Sequence, residues 1–354
     1  MTRVLAFARS RATSWEWLLG AFAVVLIVVA SITTLGFADG YNIESSISRM
    51  AAKALFVLPL VFLIIAREID ISVASVAGLA GITYGLVVQA GGPHLVALAT
   101  AIITGALCGT LNGFLVAVLR LPSLVVTLGS LALFRGLCYV LVGGTPISPL
   151  PDELIGFAYG SLGDTYIPLT IVPFLVLAPI AAIVLHRTAF GRRVYAIGGN
   201  PDAARYAGVA TRRIVFQLFV VSGAVAALAG VIQIGITSSA SPDSALGFEL
   251  DAITVVFLGG VSFLGGKGKI SGVIWALIVV IAVRSMLQLQ NLGAYGQAAV
   301  VGAILIVSLL LANLGIRLST ARAARRARAL TLPSGGKTAT PHNQPTQSKE
   351  IHNA

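Results

Sequence analysis

The stretch IVFQLFVVSGAVAALAGVIQIGI, residues 214–236, decides the fold of this chain. It contains no charged side chain, and its polar side chains are those of Gln217, Ser222 and Gln233. Because about 20 apolar residues in a helix cross roughly 30 Å of hydrocarbon, a run of this length predicts a transmembrane helix. Its glycines and alanines favour close packing against a neighbouring helix, which is common in membrane bundles.

Further apolar runs occupy most of the chain on both sides of this stretch. They lie at residues 17–36, 50–66, 72–91, 95–119, 122–142, 167–186, 250–265, 271–289 and 296–315. The run 250–265 is short and ends in glycine, so we expect a re-entrant or broken helix there. The runs together predict an all-α fold, a polytopic membrane helix bundle of about ten transmembrane segments.

The composition agrees with a chain that faces lipid. Hydrophobic residues make up 57% of the sequence and charged residues 10%, which is more apolar surface than a soluble core can bury. The two cysteines, Cys108 and Cys138, lie inside apolar runs, so a disulfide framework is not expected.

Charged residues alternate between the two sides that such a bundle would have. The basic ones fall in every second loop, namely at Arg3, Arg9, Arg11, Arg67, Arg120, within 187–213, at Lys267, Lys269 and within 317–328. The opposite loops carry Asp39, Glu44, Asp152, Glu153, Asp164, Asp243 and Glu249, with Arg49 as their clear basic exception. By the positive-inside rule both termini are expected in the cytoplasm of a bacterium, with the chain multi-pass in the plasma (inner) membrane. Topology thus accounts for the net charge of +11, and nucleic acid is not an expected partner.

Three regions follow from this pattern. Residues 1–16 are expected to be a cytoplasmic N-terminal segment, and 17–316 the membrane domain with a cytoplasmic loop at 187–213. Residues 317–354 begin basic and then become rich in Pro, Ser, Thr and Gln, which predicts a disordered cytoplasmic tail. The first apolar run has no Ala-x-Ala cleavage site after it, so it is interpreted as a true span.

The energy source for transport is not evident within the chain. Ion-coupled carriers hold Asp, Glu or His near the bilayer midplane, and the predicted spans are poor in these residues. A channel would need a filter sequence or a charged pore stripe, and neither is evident. A nucleotide-binding P-loop is absent too, since Val261 stands where its first glycine belongs and Gly268 follows Lys267. No cofactor is therefore expected in this chain, and any ATP would be bound by a partner subunit.

A soluble motor would need a structured surface to dock on, and the segment RTAFGRRVYAIGGNPDAARYAGVATRR, residues 187–213, offers the largest one. Asn200, Pro201 and Asp202 form a typical helix start, with proline at the first position and an acid in the first turn. We therefore predict a short interfacial helix from 201 to 206.

This segment resembles the coupling loop of sugar-type importer permeases of the ATP-binding-cassette superfamily, in the ribose, xylose and rhamnose class. Further matching stretches are IDISV at 69–73, LPS at 121–123, VTLG at 126–129, FRG at 134–136, GGVS at 259–262 and GGKG at 265–268. The resemblance covers roughly residues 45–315, and within the class IDISVAS, LPSLVVTLGS and SPDSALGFELDAI are most similar to rhamnose permeases, then to autoinducer-2 permeases.

The resemblance implies a transmembrane permease subunit of an ATP-driven importer, which carries a monosaccharide such as a rhamnose-like deoxyhexose or a pentose. Its implied partners are a cytoplasmic ATP-binding-cassette subunit, a periplasmic or extracellular sugar-binding protein, a second permease copy or paralogue, and membrane lipid. The residues expected to couple to the ATPase are Gly191, Arg192, Tyr195, Gly199, Asn200, Ala203, Ala204 and Gly208. A loop that only sets topology is the simpler alternative for this segment.

The chain departs from the family pattern ahead of IDISV. The family usually has Gly-Gly before Ile-Asp and glycine after Ser-Val, whereas this chain has Arg67, Glu68 and Ala74. An Arg-Glu pair there is expected either to fix the end of the span by local charge pairing or to contact a partner.

Candidate residues for the solute path are Asn112, Phe134, Arg135, Thr254 and Phe257. Arg135 lies within a predicted span, where a charge usually faces a cavity or a partner. A structural arginine that snorkels, caps a helix or forms an interhelical hydrogen bond is the alternative. Core packing is the simpler interpretation of the other four taken singly. Glu249 and Asp251, at the predicted outer mouth, are expected to dock the binding protein or to cap a helix, and Arg284 is expected to be structural.

Two other classes of function remain as alternatives. A secondary carrier for neutral solutes would explain the spans but not the segment 187–213, and it would transport without a partner. A membrane enzyme would need a catalytic cluster of His, Cys or paired carboxylates, and no such spacing is found. The sugar, and whether the permeases pair as homodimer or heterodimer, stay open.

Overall fold

The computed structural model describes residues 2–294, 296–304, 306, 307 and 310, with side-chain exposure given from residue 15 onward. The chain divides into two units, Met1–Val307 and Ser308–Ala354, and the described residues lie almost entirely in the first. The predicted disordered tail, 317–354, lies outside the described residues.

The described part is helical, and its extended contacts are two isolated bridges, Ile147 with Ala240 and Ser161 with Pro168. The helices are α1 (Thr2–Thr33), α2 (Gly40–Ile65), α3 (Val73–Gln89), α4 (His94–Gly113), α5 (Ser123–Val142), α6 (Asp152–Tyr159), α7 (Val172–Arg187), α8 (Ala189–Gly199), α9 (Pro201–Tyr206), α10 (Thr211–Thr237), α11 (Phe248–Leu258) and α12 (Ile270–Leu289). A π-helical turn, Phe114–Val118, continues α4, and a 3₁₀ turn, Leu169–Ile171, precedes α7.

Seven of the described helices are long and apolar enough to cross a membrane. They cover Trp15–Thr33, Gly40–Ile65, His94–Val118, Ser123–Val142, Leu169–Arg187, Thr211–Thr237 and Ile270–Leu289. The prediction of a helical membrane bundle is confirmed, whereas the expected count of about ten is not reached among the described residues. Helix α3 has 17 residues and α11 has 11, and of the predicted run 296–315 the structure describes residues 296–304, 306, 307 and 310.

Helix α2 forms the centre of the bundle. All of its residues from Met50 to Ile65 are buried, although the helix also contains Pro59. Other parts of the protein therefore cover α2 on every side over this length. Helices α1, α5 and α7 instead leave large apolar side chains such as Phe22, Val125 and Leu175 exposed, as expected of a surface that faces lipid.

Helices α4 and α10 pack most intimately, because glycines face each other at their crossing. A Cβ atom on Gly105 would overlap the carbonyl oxygen of Gly223, and a Cβ atom on Gly223 would overlap that of Gly105. Only glycine on both helices allows this backbone approach. The glycines of the stretch 214–236 therefore serve packing, as the sequence predicts.

Candidate functional site

The loop between α7 and α10 forms two short helices, each with a side-chain cap. The Thr188 hydroxyl accepts a hydrogen bond from the Gly191 backbone N–H at 3.3 Å, which starts α8. The Asn200 side chain accepts bonds from the backbone N–H groups of Asp202 and Ala203, both at 3.1 Å. Since Pro201 follows as the first helical residue, the predicted helix 201–206 is confirmed as α9.

The carboxyl end of α8 is fixed against the end of α2. The Arg67 guanidinium donates from Nε to the carbonyl oxygen of Gly198 at 2.7 Å and from Nη2 to that of Gly199 at 2.9 Å. A cation at a helix C-terminus also interacts favourably with the helix dipole. A Cβ atom on Gly198 would overlap the carbonyl oxygen of Ile65, so α8 meets α2 backbone to backbone.

Tyr195 gives α8 a second attachment. Its hydroxyl donates to the carbonyl oxygen of Gly268 at 2.6 Å, and its ring stacks on His186 with centroids 6.4 Å apart. Burial, helped by the negative charge of Glu16, raises the pKa of Tyr195 to about 12, so the hydroxyl stays a donor at neutral pH. The loop before α12 is thereby tied to α8.

The structure divides the eight predicted coupling residues into two groups. Gly191 and Ala204 are buried and Tyr195 is half-buried, so these three residues pack against other parts of the same chain. The exposed ones are Arg192, Gly199, Asn200, Ala203 and Gly208. Tyr206, which the sequence interpretation did not single out, is 93% exposed on the outward face of α9. In the sequence, Tyr206 could have been recognised as the one large aromatic side chain in the predicted six-residue interfacial helix.

The departure at Arg67 and Glu68 has a local role. Among the described residues these two form no ion pair, and Arg67 instead holds α8 from a backbone with φ of 70°. Glu68 is largely withdrawn from solvent, and burial raises its pKa above the usual range, although the Ser123 hydroxyl partly offsets this. The expected charge pairing is therefore wrong, and Arg67 binds the loop between α7 and α10 instead.

A buried polar network lies directly beyond this point. The Asp70 carboxylate accepts hydrogen bonds from the Ser72 backbone and hydroxyl, at 3.0 and 2.6 Å, and from the Ser222 hydroxyl at 3.0 Å. Asn112 donates to the Ser72 hydroxyl at 2.8 Å and accepts from Ser130 at 2.5 Å. Asn112, predicted for the solute path, thus ties α4 to the start of α3 and to α5.

The predicted path residues other than Asn112 make contacts of several kinds, and these do not form one site. Phe134 is buried in the core, and the Arg135 guanidinium donates to the carbonyl oxygen of Pro242. Thr254 donates to the carbonyl oxygen of Leu250 at 2.7 Å within α11. Phe257 packs on Phe263, with ring centroids 5.7 Å apart. A role of these residues in transport stays a prediction.

A cavity of about 680 Å³ lies instead between α2, α10, α11 and α12, near the end of the bundle where α10 and α12 end. Cavities of this size hold small-molecule ligands in many proteins. Its lining, below called the basic cavity, consists of Ser46, Arg49, Met50, Lys53, Gln233, Ile236, Thr237, Phe248, Ile281, Arg284, Ser285, Gln288, Leu292, Gly293, Ala294 and Gln297. None of the five predicted path residues belongs to this lining.

Asp251 joins two cations on the wall of the basic cavity. Its carboxylate lies 2.8 Å from Lys53 Nζ and 2.5 Å from Arg284 Nη2. All three side chains are nearly buried, at 11 to 14% exposure, and Lys53 Nζ also lies 4.3 Å from the Phe248 ring centre. Asp251 is therefore engaged inside the bundle, while the Oε2 atom of Glu249 is buried without a hydrogen-bond partner in the described part. Their expected docking role stays a prediction.

The sequence prediction does not include Lys53, because it is a single charge near the start of the otherwise apolar run 50–66. A lysine in one span and an aspartate in another are a usable signal, since opposite charges in membrane segments tend to pair. For a metal ion, the described residues hold no group of three or more His, Cys, Asp or Glu side chains that could bind it.

Comparison with known proteins places these features in a family. Residues 42–309 match the family described as branched-chain amino acid transport system / permease component. The L-arabinose transport system permease protein of Escherichia coli (strain K12) is 33% identical over 305 residues, which cover 86% of this chain and 92% of the relative. No solved structure matches.

Two further relatives have other solutes in their names. The autoinducer 2 import system permease protein of Photorhabdus luminescens is 31% identical over 300 residues, 83% of this chain and 90% of the relative. The ribose import permease protein of Bacillus subtilis (strain 168) is 31% identical over 296 residues, again 83% and 90%.

Proposed function

This chain belongs to the branched-chain amino acid transport system / permease component family and is a transport permease rather than an enzyme; from that premise we propose that it forms the membrane path of an ATP-driven importer. The solute is a monosaccharide of pentose or deoxyhexose size. The names of the relatives support a pentose, and autoinducer 2 is supported equally well. Rhamnose rests on the sequence resemblance alone.

Coupling to a separate ATPase is supported by the pair of helices α8 and α9, which is fixed to the bundle and has one solvent-exposed face. Arg67, Tyr195 and the backbone contact at Gly198 attach this pair to α2 and to the loop before α12. A force applied to α9 would therefore reach two membrane helices through short, strong contacts. A topological loop would not need such attachments.

We assign the two faces of this pair different tasks. The exposed face, with Arg192, Ala203, Tyr206 and Gly208, meets the ATPase, and its small residues allow α9 to enter a groove. The inward group of Gly191, Tyr195 and Ala204, together with Gly199 and Asn200 at the joint, transmits the movement. ATP can favour one state of the permease only if the ATPase binds the two states with different free energies.

The orientation and the assembly complete the proposal. Arg67, Arg120 and the arginines of 187–213 gather at the end of the bundle that carries α8 and α9, which supports a cytoplasmic position for that end and for both termini. Helices α3 and α11 and the helical residues 296–304 bring the membrane segments to about ten. A second permease copy or paralogue, a sugar-binding protein on the opposite side and surrounding lipid are the remaining partners.

Co-purification of the cognate ATPase subunit tests this proposal. Replacing Tyr206 by alanine, or Ala203 by arginine, is expected to reduce recovery of the ATPase by about tenfold, because a buried aromatic side chain commonly contributes 1–2 kcal/mol or more at an interface. Tyr41→Ala is the matched control, since Tyr41 is 75% exposed at the start of α2. Equal recovery with all three variants would contradict the assignment of α9.

A further inference from the structure

The wall of the basic cavity carries three cationic side chains. Arg49 and Lys53 come from α2, one turn apart, and Arg284 comes from α12. Among the described residues that line the cavity none is acidic. The wall also carries neutral hydrogen-bonding side chains, from Ser46, Gln233, Thr237, Ser285, Gln288 and Gln297, and as many apolar ones, from Met50, Ile236, Phe248, Ile281, Leu292 and Ala294.

The positive charge of this wall is only partly neutralised. Asp251 reaches Lys53 and Arg284 from α11, so one carboxylate faces two cations. In the part of the chain that the structure describes, Arg49 lies within ion-pair distance of no carboxylate, and its Nη2 donates to the Ser46 hydroxyl at 3.1 Å. Glu249 does not belong to the lining. The basic cavity therefore has an excess of two positive charges.

Lys53 and Arg284 are nearly buried and share one carboxylate, and an anion in the cavity would offset their remaining positive charge, while the exposed Arg49 is open to the same anion. Arg284 has an unused donor besides, because its Nε atom is buried without a partner in the described structure. A carbonyl or hydroxyl oxygen would satisfy that donor but would leave the charge excess unchanged. The arrangement of hydroxyls and amides beside unpaired cations suits a solute that carries both many hydroxyl groups and one acidic group.

We propose that the basic cavity is the solute site and that it selects an anionic sugar, whose carboxylate or phosphate group lies between Arg49 and Arg284. This inference rests on the proposed function and narrows its solute class. The sugar hydroxyls then bind Gln233 and Thr237, and the anion replaces the missing counter-charge. A neutral sugar would use the same hydroxyl contacts and lack the ionic one.

A cysteine placed in the cavity measures this potential directly. Gln288 is exposed on the cavity wall, whereas the native Cys108 and Cys138 are both buried, so the unmodified chain supplies the background rate. In Gln288→Cys permease in nanodiscs, a negatively charged thiosulfonate reagent is expected to react about tenfold faster than a positively charged one, after correction for their rates with a free thiol. Adding Arg49→Gln is expected to remove most of that preference, and high salt to weaken it.

Protection of the same cysteine then tests solute choice. L-arabinonate or D-ribose 5-phosphate is expected to slow the reaction several-fold at concentrations where L-arabinose does not, and the comparison of the two acids distinguishes carboxylate from phosphate. Equal protection by L-arabinose, or equal rates with both reagents, would overturn the inference. If the inference fails in this way but the assembled transporter still takes up neutral L-arabinose with ATP, the proposed function stands. If the assembled transporter takes up no solute with ATP, the proposed function is wrong as well.

Discussion

Replacing Arg67 by glycine isolates the contact between α2 and α8. The change removes the guanidinium bonds to the carbonyl oxygens of Gly198 and Gly199, at 2.7 and 2.9 Å. It keeps a residue that adopts the backbone φ of 70° without strain. It also restores the glycine that related permeases are expected to have at this position.

The structure allows a magnitude for this loss. A hydrogen bond with a charged donor contributes about 1.5–3 kcal/mol, and since Arg67 is exposed and its Nη2 bond is open to solvent, we take about 2 kcal/mol for both bonds together. Because glycine adopts the left-handed backbone at this position without strain, the substitution also adds about 1 kcal/mol to the free energy of unfolding of the whole fold. Local opening of α8 should therefore become easier by about 2 kcal/mol, while overall stability falls by about 1 kcal/mol.

Hydrogen exchange of the purified permease in nanodiscs measures the local term. The amides at the carboxyl end of α8 are expected to exchange about 30-fold faster in Arg67→Gly, since 1.4 kcal/mol corresponds to a factor of ten. Arg120→Gly is a matched control, because Arg120 is also exposed and has φ of 61° but makes no side-chain hydrogen bond among the described residues. If both variants exchange alike in α8, the guanidinium contact does not hold this helix.

Three further predictions concern packing, ionisation and the ion triad. Gly223→Ala should lower the melting temperature by several degrees, because its Cβ overlaps α4, whereas Gly129→Ala, which meets no atom within 4 Å, should not lower it. Glu68→Gln should stabilise the protein above about pH 5 and not below about pH 4, since a carboxyl whose folded pKa is raised loses stability as pH rises through its unfolded value; a constant difference in thermal unfolding across pH would refute this. Asp251→Asn should destabilise the protein by about 3 kcal/mol or more, and by more than Lys53→Met does. The first variant leaves two nearly buried cations without a carboxylate, whereas the second keeps the pair of Asp251 and Arg284. The reverse order in unfolding measurements would contradict the triad.

Local sequence signals predicted the elements whose causes are local. The run 214–236 falls within α10, and the Asn200 cap with Pro201 fixed the position of α9 to the residue. Helix α2 was harder, since its first turns contain Asn42, Glu44 and Ser45 and do not resemble a membrane span. These polar groups find partners only in the folded bundle, as Asn42 does when it donates to the Ser285 hydroxyl at 2.8 Å.

Of the two candidate sites, one could be predicted from the sequence and the other could not. The segment 187–213 could be predicted because its composition and helix start differ from the apolar runs around it. The basic cavity could not, since Arg49, Lys53, Asp251 and Arg284 come from three helices that only tertiary packing brings together. The spacing of such residues along the chain carries no information about their distance in space.

Uptake into sealed vesicles tests the central claim most directly. Vesicles would hold the permease alone, with its ATPase, or with the ATPase inside and the binding protein outside, and would receive radiolabelled L-arabinose, ribose, autoinducer 2 or L-arabinonate, each with or without internal ATP. The account predicts uptake of one of these solutes only when ATP and both partners are present. Uptake by the permease alone, unchanged by ATP, would contradict it and would favour a secondary carrier.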